Sequence, residues 1–130
     1  MRFADTSFWI ALQVPRDEHH SVAKSLWETD SDPVLTTNHV VGETWTFLRR
    51  RADHRTAVGF YQATAASPRL RIDHVPQDVE MEAWSWLLRH DEREYSFVDA
   101  TSFAVMRRRR VRYALAFDGG FAAAGFIELR

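Results

Sequence analysis

A chain of 130 residues, 45% of them hydrophobic, has the size and apolar content of one compact domain, residues 1–130, and is too apolar for a disordered chain. Its formal net charge of -1 gives no overall field that selects nucleic acid or a membrane, so any electrostatic steering must come from local patches. The absence of cysteine excludes disulfides and thiolate zinc sites, and a cytoplasmic setting is expected.

Arg2 to Ala4 reads as a short strand ended by Asp5, after which Thr6 or Ser7 can cap a helix through Leu12. Asp5 interrupts the opening segment too early for a signal peptide, and no run approaches the ~18 apolar residues of a membrane span, so no membrane contact is expected. Pro15-Arg16-Asp17 is a turn, and His19 to Thr29 carries Val22, Ala23, Leu26 and Trp27 at helical spacing. Val34 to Thr36 reads as a strand, followed by a helix capped by Asn38 and running to Arg50. A helix over Arg55 to Ala66 completes an αα-hairpin that Ser67-Pro68 stops. A strand from Leu70 to Val75, a helix from Gln77 to Arg89 and a helix from Phe97 to Arg109 come next. The chain ends with a strand over Arg112 to Phe117, a turn at Asp118-Gly119-Gly120 and a strand over Phe126 to Leu129. Alternating strands and helices predict an α/β fold whose mainly parallel sheet is covered on both faces.

Four acids sit where such a fold places chemistry. Ligands of open α/β sheets lie outside the carboxyl ends of strands, where Asp5 and Asp118 are expected. Glu43 and Asp99 fall near helix starts on apolar faces. Each also has a local reading. Asp5 suits a helix start, Asp99 follows Ser96 at capping-box spacing, and Asp118-Gly119 is a turn signal. Glu43 shares a face with Val40 and Phe47 inside its helix, and its local reading is a buried pair with an arginine. Taken together, carboxylates in one pocket raise each other's pKa values, and a divalent cation such as Mg²⁺ or Mn²⁺ removes that cost. Such ions activate water and stabilise leaving oxygens in phosphodiester cleavage.

The segments FADTSFWIAL, VVGETWTFL, YSFVDATSFAVM and ALAFDGGFAAAGF, in this order and spacing, resemble a PIN-domain protein, specifically a VapC-type ribonuclease toxin of a toxin–antitoxin pair. The resemblance spans nearly the whole chain. It implies a three-layer α/β/α fold with a central parallel sheet and Mg²⁺- or Mn²⁺-dependent endoribonuclease activity. It places the acidic, metal-binding site on Asp5, Glu43, Asp99 and Asp118, matches Ser7 to a small hydroxyl of the opening motif, and sets Thr101 near the metal. It also implies an RNA substrate, a VapB-type antitoxin and a homodimer. Where many relatives carry a further polar or acidic residue after the last Asp, this chain has Gly119-Gly120-Phe121.

Two arginine runs end helices. Arg107 to Arg110, with Arg112, reads either as a helix end that complements the dipole or as a contact for RNA phosphate or an acidic partner. Arg49-Arg50-Arg51 ends the Glu43 helix in the same way. Trp84 and Trp86 cannot both face the core from one straight helix, which puts one of them on a surface. His19-His20 is read as a surface pair at a helix start. A receiver domain, which shares the strand–helix rhythm, is disfavoured because it needs a lysine late in the chain and Lys24 is the only one. A dehalogenase-like phosphatase needs an Asp where Ser7 stands. The remaining alternative is a non-catalytic PIN-like module that binds RNA or a protein.

Overall fold

A computed structural model describes residues 1–130. Its strands are β1 (Arg2–Ala4), β2 (Val34–Thr37), β3 (Leu70–Asp73), β4 (Tyr113–Leu115) and β5 (Ile127–Leu129). Its helices are α1 (Thr6–Gln13), α2 (His20–Glu28), α3 (Asn38–Arg51), α4 (His54–Ala66), α5 (Gln77–Arg89), α6 (Phe97–Arg109) and α7 (Gly120–Ala123). All strand pairs are parallel, in the order β3-β2-β1-β4-β5, with Phe3 opposite Leu35 on one side and Ala114 on the other. Every residue of β1 and β2 is buried, as expected for inner strands covered on both faces. The crossovers β1→β2→β3 run one way along the sheet, and the crossover from β3 to β4 runs back past β1. With right-handed crossovers, α1–α4 cover one face and α5–α7 the other. The packing agrees, since α1 meets α2 and α3, α3 meets α4, and α6 meets both α5 and α7. The result is the three-layer α/β/α arrangement expected from the alternation.

An aromatic spine fills the core. Phe103 packs edge-on against Phe121 at 5.0 Å, and Phe121 lies 6.0 Å from Phe3 of the central strand. Trp86 is buried against Phe103, whereas Trp84 is 52% exposed and stacks on Phe97 at 4.4 Å, so the two tryptophans do divide between core and surface.

Several boundaries differ from the sequence reading for identifiable reasons. Thr37, not Asn38, caps α3, because its hydroxyl accepts from the Val40 N–H. Asn38 instead accepts from the Val75 N–H at 2.9 Å, which takes that amide out of the sheet and ends β3 at Asp73. Asp5 itself caps α1, ahead of Thr6 and Ser7. The Asp118-Gly119-Gly120 turn opens into the one-turn helix α7, with Gly119 at φ 83° as its left-handed entry. No helix is long and apolar enough to cross a membrane.

Candidate active site

The strand order reverses direction at β1, so the crevice between the carboxyl ends of β1 and its neighbours is the natural binding position. Asp5 follows β1 directly, Glu43 stands in the second turn of α3 beyond β2, and Asp118 lies three residues past the end of β4. Helix α6 starts at the same edge, where Phe97 packs against His39 of α3, and so brings in Asp99. The four acids and Ser7 line a single cleft of about 630 Å³.

Each acid is held by one oxygen. Asp5 Oδ2 accepts from the Ser7 hydroxyl at 2.9 Å and more weakly from its amide at 3.3 Å. Glu43 Oε1 accepts from the Thr6 hydroxyl at 2.6 Å. Asp99 Oδ2 accepts from the Ser96 amide at 2.9 Å, and the Ser96 hydroxyl returns the bond to the Asp99 amide. Asp118 Oδ1 accepts from the Gly120 amide at 2.9 Å. The other oxygen of each, namely Asp5 Oδ1, Glu43 Oε2, Asp99 Oδ1 and Asp118 Oδ2, accepts no hydrogen bond from the protein. None of the four forms an ion pair with a basic side chain, so the expected alternative of a Glu43–arginine pair does not hold.

Electrostatics follow from this crowding. Asp5 is 3% exposed, and burial pushes its pKa from 3.8 to about 7, with repulsion from Asp118 and Asp99 adding to the shift and the Ser7 bonds opposing it. Glu43 keeps open surface along α3, but its carboxylate turns into the cleft. That local loss of water raises its pKa first, Asp99 and Asp118 raise it further, and Thr6 opposes them. Burial likewise raises Asp99, against the Ser96 amide bond and together with Asp118.

A pocket of carboxylates without an ion-pair partner, where only Arg93 eases the charge of Asp99, each fixed by one oxygen with the other free, fits a hard oxygen-seeking cation. As the side chains lie, no three of the histidines and carboxylates form a finished metal-binding group. Each acid is turned toward its local donor, and binding requires the free oxygens to converge.

Ser7 does more than flank the site. Its hydroxyl accepts from the Phe117 N–H at 3.1 Å while donating to Asp5, so it ties the end of β1 to the segment after β4. Thr101 is not at the cleft. It is fully buried in α6, and its hydroxyl donates to Val98 O within its own helix at 2.9 Å. The Arg107–Arg110 run lies at the other end of α6. Arg108 binds Asp78 and Glu82, Arg109 binds Asp73 through two bonds of 2.8 and 2.9 Å, Arg107 lies over Trp86, and Arg110 is the left-handed C-cap. Those partners come from α5 and β3, so Arg108 and Arg109 are engaged within the chain and serve packing of α6.

Three contributors escaped the sequence reading. Thr6 orients Glu43. His19 stacks on Phe117 at 4.6 Å and lines the cleft with Asp17 and Glu18, where a surface position was expected. Arg93 donates to the Asp118 carbonyl at 2.6 Å. No local pattern signals these roles, because each partner lies far along the chain.

Residues 2–127 match the PIN domain family. The 23S rRNA-specific endonuclease VapC20 of Mycobacterium tuberculosis is 57% identical over 130 residues, covering 100% of this chain and 98% of the relative, in both strains CDC 1551 / Oshkosh and ATCC 25618 / H37Rv. The crystal structure of M. tuberculosis VapC20, described as a sarcin–ricin loop cleaving toxin, superposes with a TM-score of 0.96 at 55% identity, covering 100% of this chain and 99% of the other. FitAcB from Neisseria gonorrhoeae shares the fold at a TM-score of 0.70 and 17% identity, covering 100% and 97%. The chain therefore belongs to the PIN-domain family, as a ribonuclease toxin of the VapC type.

Proposed function

We propose that this chain is an endoribonuclease that cuts 23S ribosomal RNA in its sarcin–ricin loop, with Mg²⁺ or Mn²⁺ held by Asp5, Glu43, Asp99 and Asp118. The substrate assignment rests on 57% identity, over the full chain, to an endonuclease of that specificity. The metal assignment rests on four carboxylates that line one cleft, each with one oxygen free of protein hydrogen bonds and none in an ion pair. When bound, the cation supplies Lewis acidity toward a phosphate oxygen and lowers the pKa of water. The protein's own part is positional. Ser7 fixes Asp5, Thr6 fixes Glu43, and the capping box fixes Asp99, so three of the acids are held at one cleft with an oxygen to spare. Burial lets Asp5, with its pKa raised to about 7, hold a proton near neutrality when no cation is present, and it shifts Glu43 and Asp99 in the same direction.

Control by a VapB-type antitoxin, self-association as a homodimer and action in the cytoplasm belong to the same reading. Exposed Met81, Trp84 and Leu88 lie on one stripe of α5 and supply apolar area for association.

Purified chain added to ribosomes with Mn²⁺ is expected to give one cut in the sarcin–ricin loop, mapped by primer extension and absent with chelator. Cuts elsewhere in 23S RNA would change the target. Absence of any cut with the cation bound would favour the binding-module alternative.

Ser7→Ala tests the positional argument. It removes a hydroxyl that serves both Asp5 and Phe117 and leaves partly buried partners unsatisfied, at a cost of about 1–3 kcal/mol in stability. Cleavage is expected to fall about 10–100-fold, in line with loss of a ligand-orienting group. A urea melt and a cleavage time course check both effects.

A further inference from the structure

The acid cleft does not end at Glu43. A second groove of about 620 Å³ shares Glu43 and Phe47 with it and continues along α3 over Gly42 to Arg50 and Arg51. The spacing Glu43, Phe47, Arg50, Arg51 keeps these side chains on one helical face. The two stretches carry opposite charge. Asp5, Asp17, Glu18, Glu43, Asp99 and Asp118 line the acid cleft, whereas Glu43 is the only carboxylate of the second groove.

That asymmetry poses a problem for a nuclease. Six carboxylates repel a polyanion, and a cation offsets only part of their field, so attraction must come from close by. Of the arginines at helix ends, Arg108 and Arg109 are already neutralised by Asp73, Asp78 and Glu82. Arg50 and Arg51 are exposed and take part in no ion pair. Arg51 also lies over the Phe47 ring at 4.7 Å, and both side chains line the groove. No side chain closes the floor at Gly42, where an added Cβ would meet nothing within 4 Å.

We infer that this groove is the track for the RNA strand flanking the scissile phosphate, and that Arg50 and Arg51 hold two of its phosphates. The inference rests on the endoribonuclease reading above. Seven to eight residues of α3 separate these arginines from Glu43. At about 1.5 Å rise per residue this is about 11 Å, or about three stacked nucleotides at about 3.4 Å each. The arginines therefore act on the strand beside the cut and leave the reacting phosphate to the acids.

The test uses full-length chain, Mn²⁺ and a hairpin RNA carrying the 23S sarcin–ricin loop, with KM and kcat measured from about 50 to 200 mM salt. Each phosphate contact contributes a slope of about -0.7 in log affinity against log salt for single strands. Arg50→Gln/Arg51→Gln is expected to flatten the slope by about 1.4 and raise KM about tenfold near 0.15 M salt, with kcat unchanged. Arg50→Lys/Arg51→Lys restores most of the slope, and Arg108→Gln/Arg109→Gln leaves it as in wild type. Gly42→Glu, which projects a carboxylate into the open floor, reproduces the rise in KM. Unchanged KM and slope in the Arg50/Arg51 glutamine variant, with wild type cutting the hairpin, overturn this inference alone. Failure of wild type to cut any RNA overturns the proposed function and this inference together. Loss of antitoxin binding with an unchanged RNA KM would assign the groove to the protein partner instead.

Discussion

Asp5→Asn is expected to abolish RNA cleavage and, above neutral pH and without divalent cation, to leave the chain more stable than wild type. Both effects come from the same atoms. Asp5 is 3% exposed, faces Asp99 and Asp118, and has no basic partner, which is why its folded pKa rises from 3.8 to about 7. Between those values the folded state keeps a proton that the unfolded chain has lost. Its stability contribution is therefore complete below about pH 4, declines as pH climbs, and is lost by about pH 7. At about 1.36 kcal/mol per unit this amounts to roughly 4 kcal/mol. Asparagine carries no charge to bury, and its carbonyl oxygen can still accept from Ser7, so the variant lacks the decline. Its catalytic loss is expected to be at least about 10²–10³-fold, the scale for removing one charge-stabilising group from a site. Urea unfolding of both proteins at pH 4.5 and pH 8, beside a cleavage assay, reads the two effects separately. An unchanged stability difference between the two pH values would mean that Asp5 ionises without penalty. Cleavage by the variant would remove Asp5 from the site.

The location of that site was legible in the sequence because strand ends and helix starts are marked by residue type. An apolar Phe3-Ala4 running into Asp5, and Ala114 to Phe117 leading to Asp118, place two acids at one edge of any parallel sheet. Glu43 stood out because the helix dipole no longer rewards an acid inside α3. For Asp99 the two readings were not rivals. Its Oδ2 completes the capping box while Oδ1 stays free beside the other acids, so one side chain starts the helix and serves the cleft. What stayed hidden depends on distance along the chain. Asn38 has the residue type of a cap, yet it bonds Val75 from 37 residues away, and Thr37 takes the cap instead. The Arg107–Arg110 run reads as a free basic patch until Asp73, Asp78 and Glu82 come in from β3 and α5. Thr101 lies two residues after Asp99, which at helical spacing sends it inward to the core. Phe117 looked like part of a strand, but its amide bonds the Ser7 hydroxyl, which shortens β4 and ties the two ends of the site together.

Mn²⁺ or Mg²⁺ is expected to stabilise the wild-type fold strongly at pH 8 and by no more than about a third as much at pH 5.5. A cation at about 100 times its dissociation constant adds about 2.7 kcal/mol. For a chain of 130 residues this corresponds to about 10 °C in Tm. The cation needs the unprotonated acids, and Asp5 gives up its proton only at about pH 7, with Glu43 and Asp99 also shifted upward by burial. Below that range each bound cation must displace at least one proton, so apparent affinity drops about tenfold per pH unit. Calorimetric titration should accordingly detect proton release on binding near pH 6.5, seen as a heat that varies with buffer ionisation enthalpy. Asp5→Asn removes the group with the largest resolved shift and should lose both the Tm gain and the buffer dependence. An equal Tm gain at both pH values, or one that survives in Asp5→Asn and Glu43→Gln, would place the cation elsewhere on the protein. If the gain instead tracks Asp5 ionisation, the burial and mutual repulsion that raise the pKa values are the costs that the cation relieves. The local donors that hold one oxygen of each acid then explain how four carboxylates stay in place until it arrives.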